Sequence, residues 1–416
     1  MCGLTGMFHA QPQQPVDAAM LRAMTAALAH RGPDGDGFHI EPGIGFGHRR
    51  LAIIDPASGH QPMFNEDGCV AIVFNGIIYN YQALIAELAA LGHVFRTRCD
   101  TETIVHAWEE WGTDCLSRLN GQFALAVWDR GRGTLFIARD RLGKKPMHYA
   151  VRPDGSLVFA SELGAFAPVP DLDRRLDLRA VDDFFTYGYV PDPATIFRGI
   201  HKLPAGHFLL LRHDGKPPVP QRYWHATAAV QDIAEAEAIA QLRAWLDDIV
   251  AKRLIADVPL GAFLSGGVDS SAVVAVAAGL RTARLDTFTI GFGGPEDETA
   301  LAEQVAARYD TIQHSDAATL DYLGGARDMG RIFGEPFGDS SAVPTFAVCA
   351  LARRHATVAV SGDGGDEVLG GYRRYQWHRM TEAVRAWLPP PCGRAAGAYI
   401  PEDGFRPPAG CAPNTP

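Results

Sequence analysis

Cys2 follows the initiator methionine and is the first residue whose position suggests chemistry. Cysteine is small, so removal of Met1 is expected, leaving a thiol and a free α-amine on one residue. An α-amine has a reference pKa of about 7.7–8.0, so part of it is unprotonated at neutral pH and can take the thiol proton as sulfur attacks a carbonyl. A second chemical element is the run SGGVDSS at Ser265–Ser271. Two consecutive glycines let the backbone turn tightly around an anion, and serines beside a helix N-terminus offer donors to phosphate oxygens. No GxxxxGK(S/T) run occurs, so the lysine of a Walker A loop is missing. Asp269 in SGGVDSS and Asp366 in SGDGGDE stand where two parallel strands would end, the edge of an open α/β sheet at which ligands bind. Paired carboxylates near a triphosphate suit Mg²⁺. His9, His30, His48 and His106 show no metal-ligand spacing and read as structural.

The elements that must position these residues differ between the halves. Roughly the first half is strand-rich, with the apolar runs IGFGHRRLAIID, CVAIVFNGIIYNY, QFALAVWDRGRGTLFIARD and LVFASEL broken by turn signals. RGRG reads as a hairpin turn, and amphipathic spacing predicts helices over Val16–His30 and Tyr81–Leu91. Pro/Gly-rich sequence at Pro191–Gly215 marks a boundary between domains. Beyond it, a helix over Ala238–Ala256, strand LGAFL, loop SGGVDSS, helix AVVAVAAGL, strand LDTFTIGF, a helix around Leu301–Tyr309 and strand TVAV give the β/α alternation of a parallel sheet. The expected organisation is an α+β domain over 1–210, a linker over 211–237, an α/β domain over 238–388 and an irregular tail over 389–416.

With 416 residues the chain exceeds one ordinary core, and 47% hydrophobic with 21% charged residues is a globular composition. Lys+Arg 38 against Asp+Glu 48 gives a net charge of -10, the wrong sign for a protein that grips nucleic acid by its phosphates. No apolar run approaches a membrane span and MCGLTGMFHA lacks the features of a signal peptide, so the expected location is the cytoplasm and the expected partners are small molecules. Seven scattered cysteines form no CxxC pair and no disulfide framework.

Eight ordered motifs, MCGLTGMF, HRGPDG, GHRRLAIID, FNGIIYNY, DTET, LNGQFALAVWD, DRLGKKP and FASEL, run through residues 1–205. Together they resemble the class II glutamine amidotransferases, the glutaminase half of the asparagine synthetase B family. The resemblance implies stacked antiparallel sheets with helices, of the Ntn hydrolase kind. It implies that Cys2 attacks the side-chain amide of glutamine and that Asn75 with the backbone amide of Gly76 forms the oxyanion hole. Arg50 would clamp the glutamine α-carboxylate, Asp100 would hold its α-ammonium, and Leu51 and Ile53 would line the same site. The family motif is usually NGEIYN, whose glutamate also meets the ammonium, whereas this chain has Ile77. Weaker glutamine binding is therefore expected.

SGGVDSS resembles the pyrophosphate loop of the ATP pyrophosphatase superfamily, which cleaves ATP to AMP and pyrophosphate. By resemblance to asparagine synthetases, Ser265, Gly266, Gly267, Asp269, Ser270 and Ser271 bind ATP, Ser361 and Gly362 lie at the adenylate, and Leu264 and Ile290 line the adenine pocket. Asp363 would act near the acyl-adenylate, and Asp269 and Asp366 would hold Mg²⁺. The two halves together imply a glutamine-dependent asparagine synthase, in which ammonia released at Cys2 attacks an aspartyl-adenylate. FNEDG, VHAWEEWG and FTYGYVPDPATIFRGIHKLPAGH are similar to the exopolysaccharide- and exosortase-associated amidotransferases, which keeps another carboxylate, or a peptide, open as acceptor. Ile77 and the unusual C-terminus also leave open a remnant with only glutaminase or regulatory function, and SGGVDSS alone fits an ATP sensor. The family pattern fades by Pro389, so a truncated synthetase half, poorly stable and weak in amide synthesis, is expected. Family members often dimerise through the glutaminase half, so a homodimer is open as well.

Overall fold

The structure is a computed structural model that describes residues 1–230, 232–294, 297–317 and 322–387. It divides into two compact units after Ser361. The tail read over 389–416 lies outside the described residues.

The first half of the chain folds into two six-stranded antiparallel sheets. One sheet runs in the spatial order His201–Lys202, His148–Val151, Leu157–Ala160, Gly3–Phe8, Ile44–Arg50, Gly35–Glu41. The other runs Gln221–Arg222, His207–Arg212, Thr134–Arg139, Gly121–Asp129, Val70–Ile78, Met63–Phe64. Alternation along each strand sends successive side chains to opposite faces, which here builds three cores. Leu4, Phe8, Ile44 and Phe46 of the first sheet meet Ala71, Val73, Ala124, Ala126 and Ile137 of the second. Outside the first sheet, Met7 and Val158 pack on Met20, Leu21 and Met24 of the Ala18–Ala26 helix. Outside the second, Ile72, Phe74, Phe123 and Leu125 pack on helices Tyr81–Ala90 and Asp100–Trp111. The result is a helix–sheet–sheet–helix stack. RGRG is the turn between the strands Gly121–Asp129 and Thr134–Arg139, as the sequence suggests. The first helix is shorter than its apolar spacing: Asp17 accepts from Met20 N at 2.9 Å and sets its start.

The sheet continues into the stretch read as linker. His207–Arg212 pairs with Thr134–Arg139, and Gln221–Arg222 pairs with His207–Phe208. Helix Glu235–Arg253 then leads to a four-stranded parallel sheet in the order Ile312–Ala317, Asp286–Gly291, Leu260–Phe263, Val358–Val360. In chain order these strands are third, second, first and fourth, so the direction of winding reverses beside Leu260–Phe263, the position that opens a ligand crevice. Val250, Leu260, Ala262, Leu264, Val274, Ala277, Ala302 and Val360 form its core.

Several contacts bind this sheet's connections to the first half. Asp257 receives the Asp55 N–H at 2.8 Å and donates its own N–H to Ile53 O at 3.0 Å. Lys202 Nζ lies 2.6 Å from Glu335, which also accepts from Ile196 N at 3.1 Å. Gly338 N donates to Gly188 O at 2.7 Å. The second unit begins with two helices, Gly365–Leu369 and Arg373–Arg385. Among the described residues no helix is long and apolar enough to cross a membrane.

Candidate active site

Cys2 immediately precedes the Gly3–Phe8 strand, which pairs with Ile44–Arg50 and so brings residue 51 beside it. Leu51 N–H donates to Cys2 Sγ at 3.3 Å, and the thiol can donate back to Leu51 O at 3.6 Å. Burial pushes the Cys2 thiol up, and the Leu51 N–H and the terminal amine only partly offset this. The Cys2 thiol is therefore neutral and would need a base to act as a nucleophile. The α-amine, here on Met1, is brought down to about 6 by burial, with Arg31 and Lys145 adding to the effect. An amine of that pKa is a free base at neutral pH.

Four residues that sequence reasoning did not single out, Arg31, Asp140, Lys145 and Glu162, surround this end of the chain. Arg31 Nε donates to Cys2 O at 2.8 Å and its guanidinium pairs with Glu162, which His30 also meets at 2.8 Å. Lys145 Nζ lies 3.0 Å from the Met1 sulfur, and burial first, then Arg31, lowers its ammonium to about 8. Asp140 holds the loop that carries Lys145, accepting from the backbone N–H groups of Leu142, Lys144 and Lys145 at 3.0–3.1 Å. HRGPDG, FASEL and DRLGKKP carry these residues, so the motifs were visible although the roles were not.

Asn75 shares strand parity with Val73, which faces the space between the sheets. It is buried, and its Nδ2 has no hydrogen-bond partner. A buried amide donor left unpaired costs about 1–3 kcal/mol, a cost that a ligand oxygen beside it would relieve. At Gly76 a Cβ would lie 2.3 Å from Gln122 O, so no larger residue fits there. Arg50 is buried, with two guanidinium nitrogens donating to Asp55 O and Pro56 O at 2.8 Å each. Five N–H groups are available in a guanidinium, so donors remain for a carboxylate. Asp100 opens the Asp100–Trp111 helix and accepts from Ile78 N at 3.0 Å. Burial raises its carboxyl to about 6, and the Asp100 charge is felt by the Cys2 thiol. Leu51 and Ile53 are half-buried. Ile77, also half-buried, packs against the apolar cluster that contains Ile54, Tyr81 and Cys99.

The second constellation lies at the winding reversal of the parallel sheet. Ser265 leaves the Leu260–Phe263 strand, Gly267 precedes the helix Val268–Leu280, and Asp269 sits in its first turn. The loop is tied internally: Ser270 Oγ lies 3.0 Å from Ser265 Oγ and donates to Gly267 O at 3.3 Å, while Gly267 N donates to Ser265 Oγ at 3.2 Å. Gly266 has φ +83°, and a Cβ there would lie 2.7 Å from Leu301 Cβ. Ser271 Oγ is buried without a partner. Beside the loop, Leu264, Ser265 and Ile290, with Phe263, Phe288 and Phe292, line a cavity of about 260 Å³. Ser361 directly follows the Val358–Val360 strand of the same sheet. Gly362, Asp363 and Asp366 belong to the second unit, Asp366 in the first turn of Gly365–Leu369.

Residues 1–224 match a family model described as glutamine amidotransferase domain, and residues 241–410 match one described as asparagine synthase. Asparagine synthetase 1 (glutamine-hydrolyzing) of Bacillus subtilis strain 168 is 34% identical over 381 residues, covering 90% of this chain and 60% of the relative. Asparagine synthetase 3 of the same organism is 34% identical, covering 92% and 66%. A provisionally named asparagine synthetase 2 of Methanocaldococcus jannaschii is 36% identical, covering 89% and 76%. The chain belongs to the glutamine-hydrolyzing asparagine synthetase family. It spans about 60–66% of the length of the two Bacillus subtilis members it matches. Within this family the two matched regions correspond to the two constellations above: Cys2, Arg50, Asn75 and Asp100 fall in the first, and SGGVDSS, Ile290 and Ser361 in the second.

Proposed function

We propose that this chain is a glutamine-dependent asparagine synthase of the cytoplasm, with glutamine, aspartate and ATP as substrates. The observation that carries the proposal is the buried, unpaired Asn75 amide in a half whose Cys2 thiol is held by the Leu51 backbone. Loss of Met1 puts the α-amine on Cys2. That amine takes the thiol proton while sulfur attacks the glutamine side-chain carbonyl. Asn75 Nδ2 and the Gly76 N–H donate to the resulting oxyanion, Arg50 holds the α-carboxylate and Asp100 the α-ammonium. The amine then returns its proton to the leaving nitrogen, ammonia departs, and water hydrolyses the thioester to glutamate.

In the second half a carboxylate oxygen of aspartate attacks the α-phosphorus of ATP and pyrophosphate leaves. Ammonia then attacks the acyl-adenylate carbonyl and AMP leaves, giving asparagine. The Ser265–Ser271 loop suits the pyrophosphate, because the orphaned Ser271 hydroxyl and the left-handed turn that Gly266 makes before the helix N-terminus are features of an anion cradle. Leu264 and Ile290, in the aromatic-lined cavity beside it, would take the adenine. Ser361, Gly362 and Asp363 carry their roles at the adenylate from the sequence pattern. Mg²⁺ suits the Asp269 carboxylate, and Asp366 is its second proposed ligand by sequence; when bound it would neutralise phosphate charge.

The test is a product assay with aspartate, glutamine and Mg-ATP. Asparagine and AMP should appear together, and Cys2→Ala should abolish the glutamine-dependent reaction but spare the one supplied with free ammonia. Absence of asparagine and AMP with either nitrogen source would refute the reading.

A further inference from the structure

His106 and Glu109 lie three residues apart on the Asp100–Trp111 helix and so share one face. His93 reaches the same place from the turn after helix Tyr81–Ala90, where its N–H donates to Leu88 O at 3.1 Å. One ligand atom from each of the three lies within 4.8 Å of the others. Glu109 Oε2 is 2.8 Å from His106 Nδ1 and 3.8 Å from His93 Nδ1. Tetrahedral Zn²⁺ bonds of about 2.0–2.1 Å put neighbouring ligand atoms roughly 3.3–3.5 Å apart, so small side-chain rotations would close the set.

The opposite ends of the three side chains are what distinguish this cluster from an ordinary ion-pair network. His93 Nε2 lies 3.3 Å from Glu110 Oε2. His106 Nε2 lies 3.8 Å from Glu102 Oε1, is buried, and makes no hydrogen bond. Glu109 Oε1 accepts from Asn65 Nδ2 at 2.6 Å. A metal-bound imidazole characteristically gives its other N–H to a carboxylate, and a metal-bound carboxylate is itself held by hydrogen bonds. His93 has that carboxylate in Glu110 and Glu109 has that donor in Asn65, while the buried His106 Nε2 faces Glu102 at 3.8 Å without a hydrogen bond of its own. Phe95 packs edge-on against the His106 ring at 4.7 Å, adding an apolar wall.

We propose that His93, His106 and Glu109 form a Zn²⁺ site, with the fourth position open to water at the partly exposed edge formed by His93 and Glu109. Two imidazoles and one carboxylate are a donor set that Zn²⁺ takes. The site replaces the purely structural reading of His106 from sequence, which lacked His93 because the two lie on different elements.

The test uses the full-length chain carrying Cys2→Ser and Cys349→Ser, which removes the partly buried terminal thiol and an exposed one as competing ligands, stripped of metal and titrated with Zn²⁺ by calorimetry at pH 8. One equivalent should bind, and Co²⁺ in its place should give visible d–d bands without a thiolate charge-transfer band. Glu110→Gln, an isosteric change at an exposed position, should weaken binding by about 10- to 100-fold, and His93→Gln should weaken it further. Circular dichroism of both variants checks that the fold is kept. No uptake by the parent chain, unchanged affinity in both variants, or a thiolate–cobalt band would overturn the site.

Discussion

Replacing Ile77 by glutamate should tighten glutamine binding. Ile77 shares strand parity with Asn75 and is one residue from Ile78, whose N–H is 3.0 Å from the Asp100 carboxylate. A carboxylate at position 77 would give the substrate ammonium a second anionic partner beside Asp100. A hydrogen bond to a charged group contributes about 1.5–3 kcal/mol, which corresponds to about 10- to 150-fold in KM where KM reports binding. Because residue 77 is half-exposed, water competes and the lower part of that range is expected. Two nearby carboxylates raise each other's pKa, and Asp100 already stands at about 6, so the comparison belongs at pH 8. The assay is steady-state glutamate release, with Ile77→Gln as the uncharged control. A KM unchanged in Ile77→Glu, or lowered equally by glutamine and glutamate at this position, would show that charge at residue 77 does not reach the substrate.

Asn75→Ala should lower glutaminase kcat by about 100- to 1,000-fold while leaving Tm unchanged or higher, since it removes a buried donor that has no partner; a lower Tm with intact kcat would contradict this. The Asp100 carboxyl is raised from 3.8 to about 6 by burial, so glutaminase kcat/KM should rise with pH through about 6, and Asp100→Asn should abolish that limb along with most activity. Because the folded pKa is the higher one, this group's stabilising contribution is complete below about 3.8 and is lost as pH rises through about 6. The full loss is about 3 kcal/mol for the free protein, of which about 2 kcal/mol falls between pH 4.5 and 7, and urea unfolding at those two pH values of Asp100→Asn against the parent would measure that part. Gly266→Ala, with its positive φ and a Cβ 2.7 Å from Leu301 Cβ, should suppress ATP–pyrophosphate exchange while sparing glutaminase; exchange at the parent rate would argue against loop geometry as the determinant.

Where side chains alternate strictly, the fold was readable. The hairpin around RGRG and the β/α order from LGAFL to LDTFTIGF follow from period and turn chemistry, because each element's burial pattern is written locally. The Asp100–Trp111 helix was hidden: DTETIVHAWEEW buries polar Asp100, Thr101, Glu102 and His106 together with its apolar residues, so no clean stripe appears. The strand Ile312–Ala317, IQHSDA, lies at the sheet edge and is largely exposed, with little apolar signal. The proposed site residues inside short motifs, such as Cys2 and the serines of SGGVDSS, stand out by their chemistry alone. Arg31, Lys145 and Glu162 do not, because their roles depend on which strand ends meet, a property of sheet order rather than spacing.

The contacts made by Asp257 and Glu335 have a consequence for how the gene product can be divided. A fragment ending near residue 230 would retain both sheets of the first half, yet Asp55 N and Ile53 O would lose the side chain and backbone that pair with them. Lys202, largely shielded beside Glu335, would keep its charge without its partner. The segment thus freed, residues 53–56, is the one whose carbonyls hold the Arg50 guanidinium. Modularity at the level of sequence motifs therefore does not extend to mechanical independence: excising the amidotransferase region would loosen the support of the Arg50 guanidinium from a direction that Arg50 itself does not reveal.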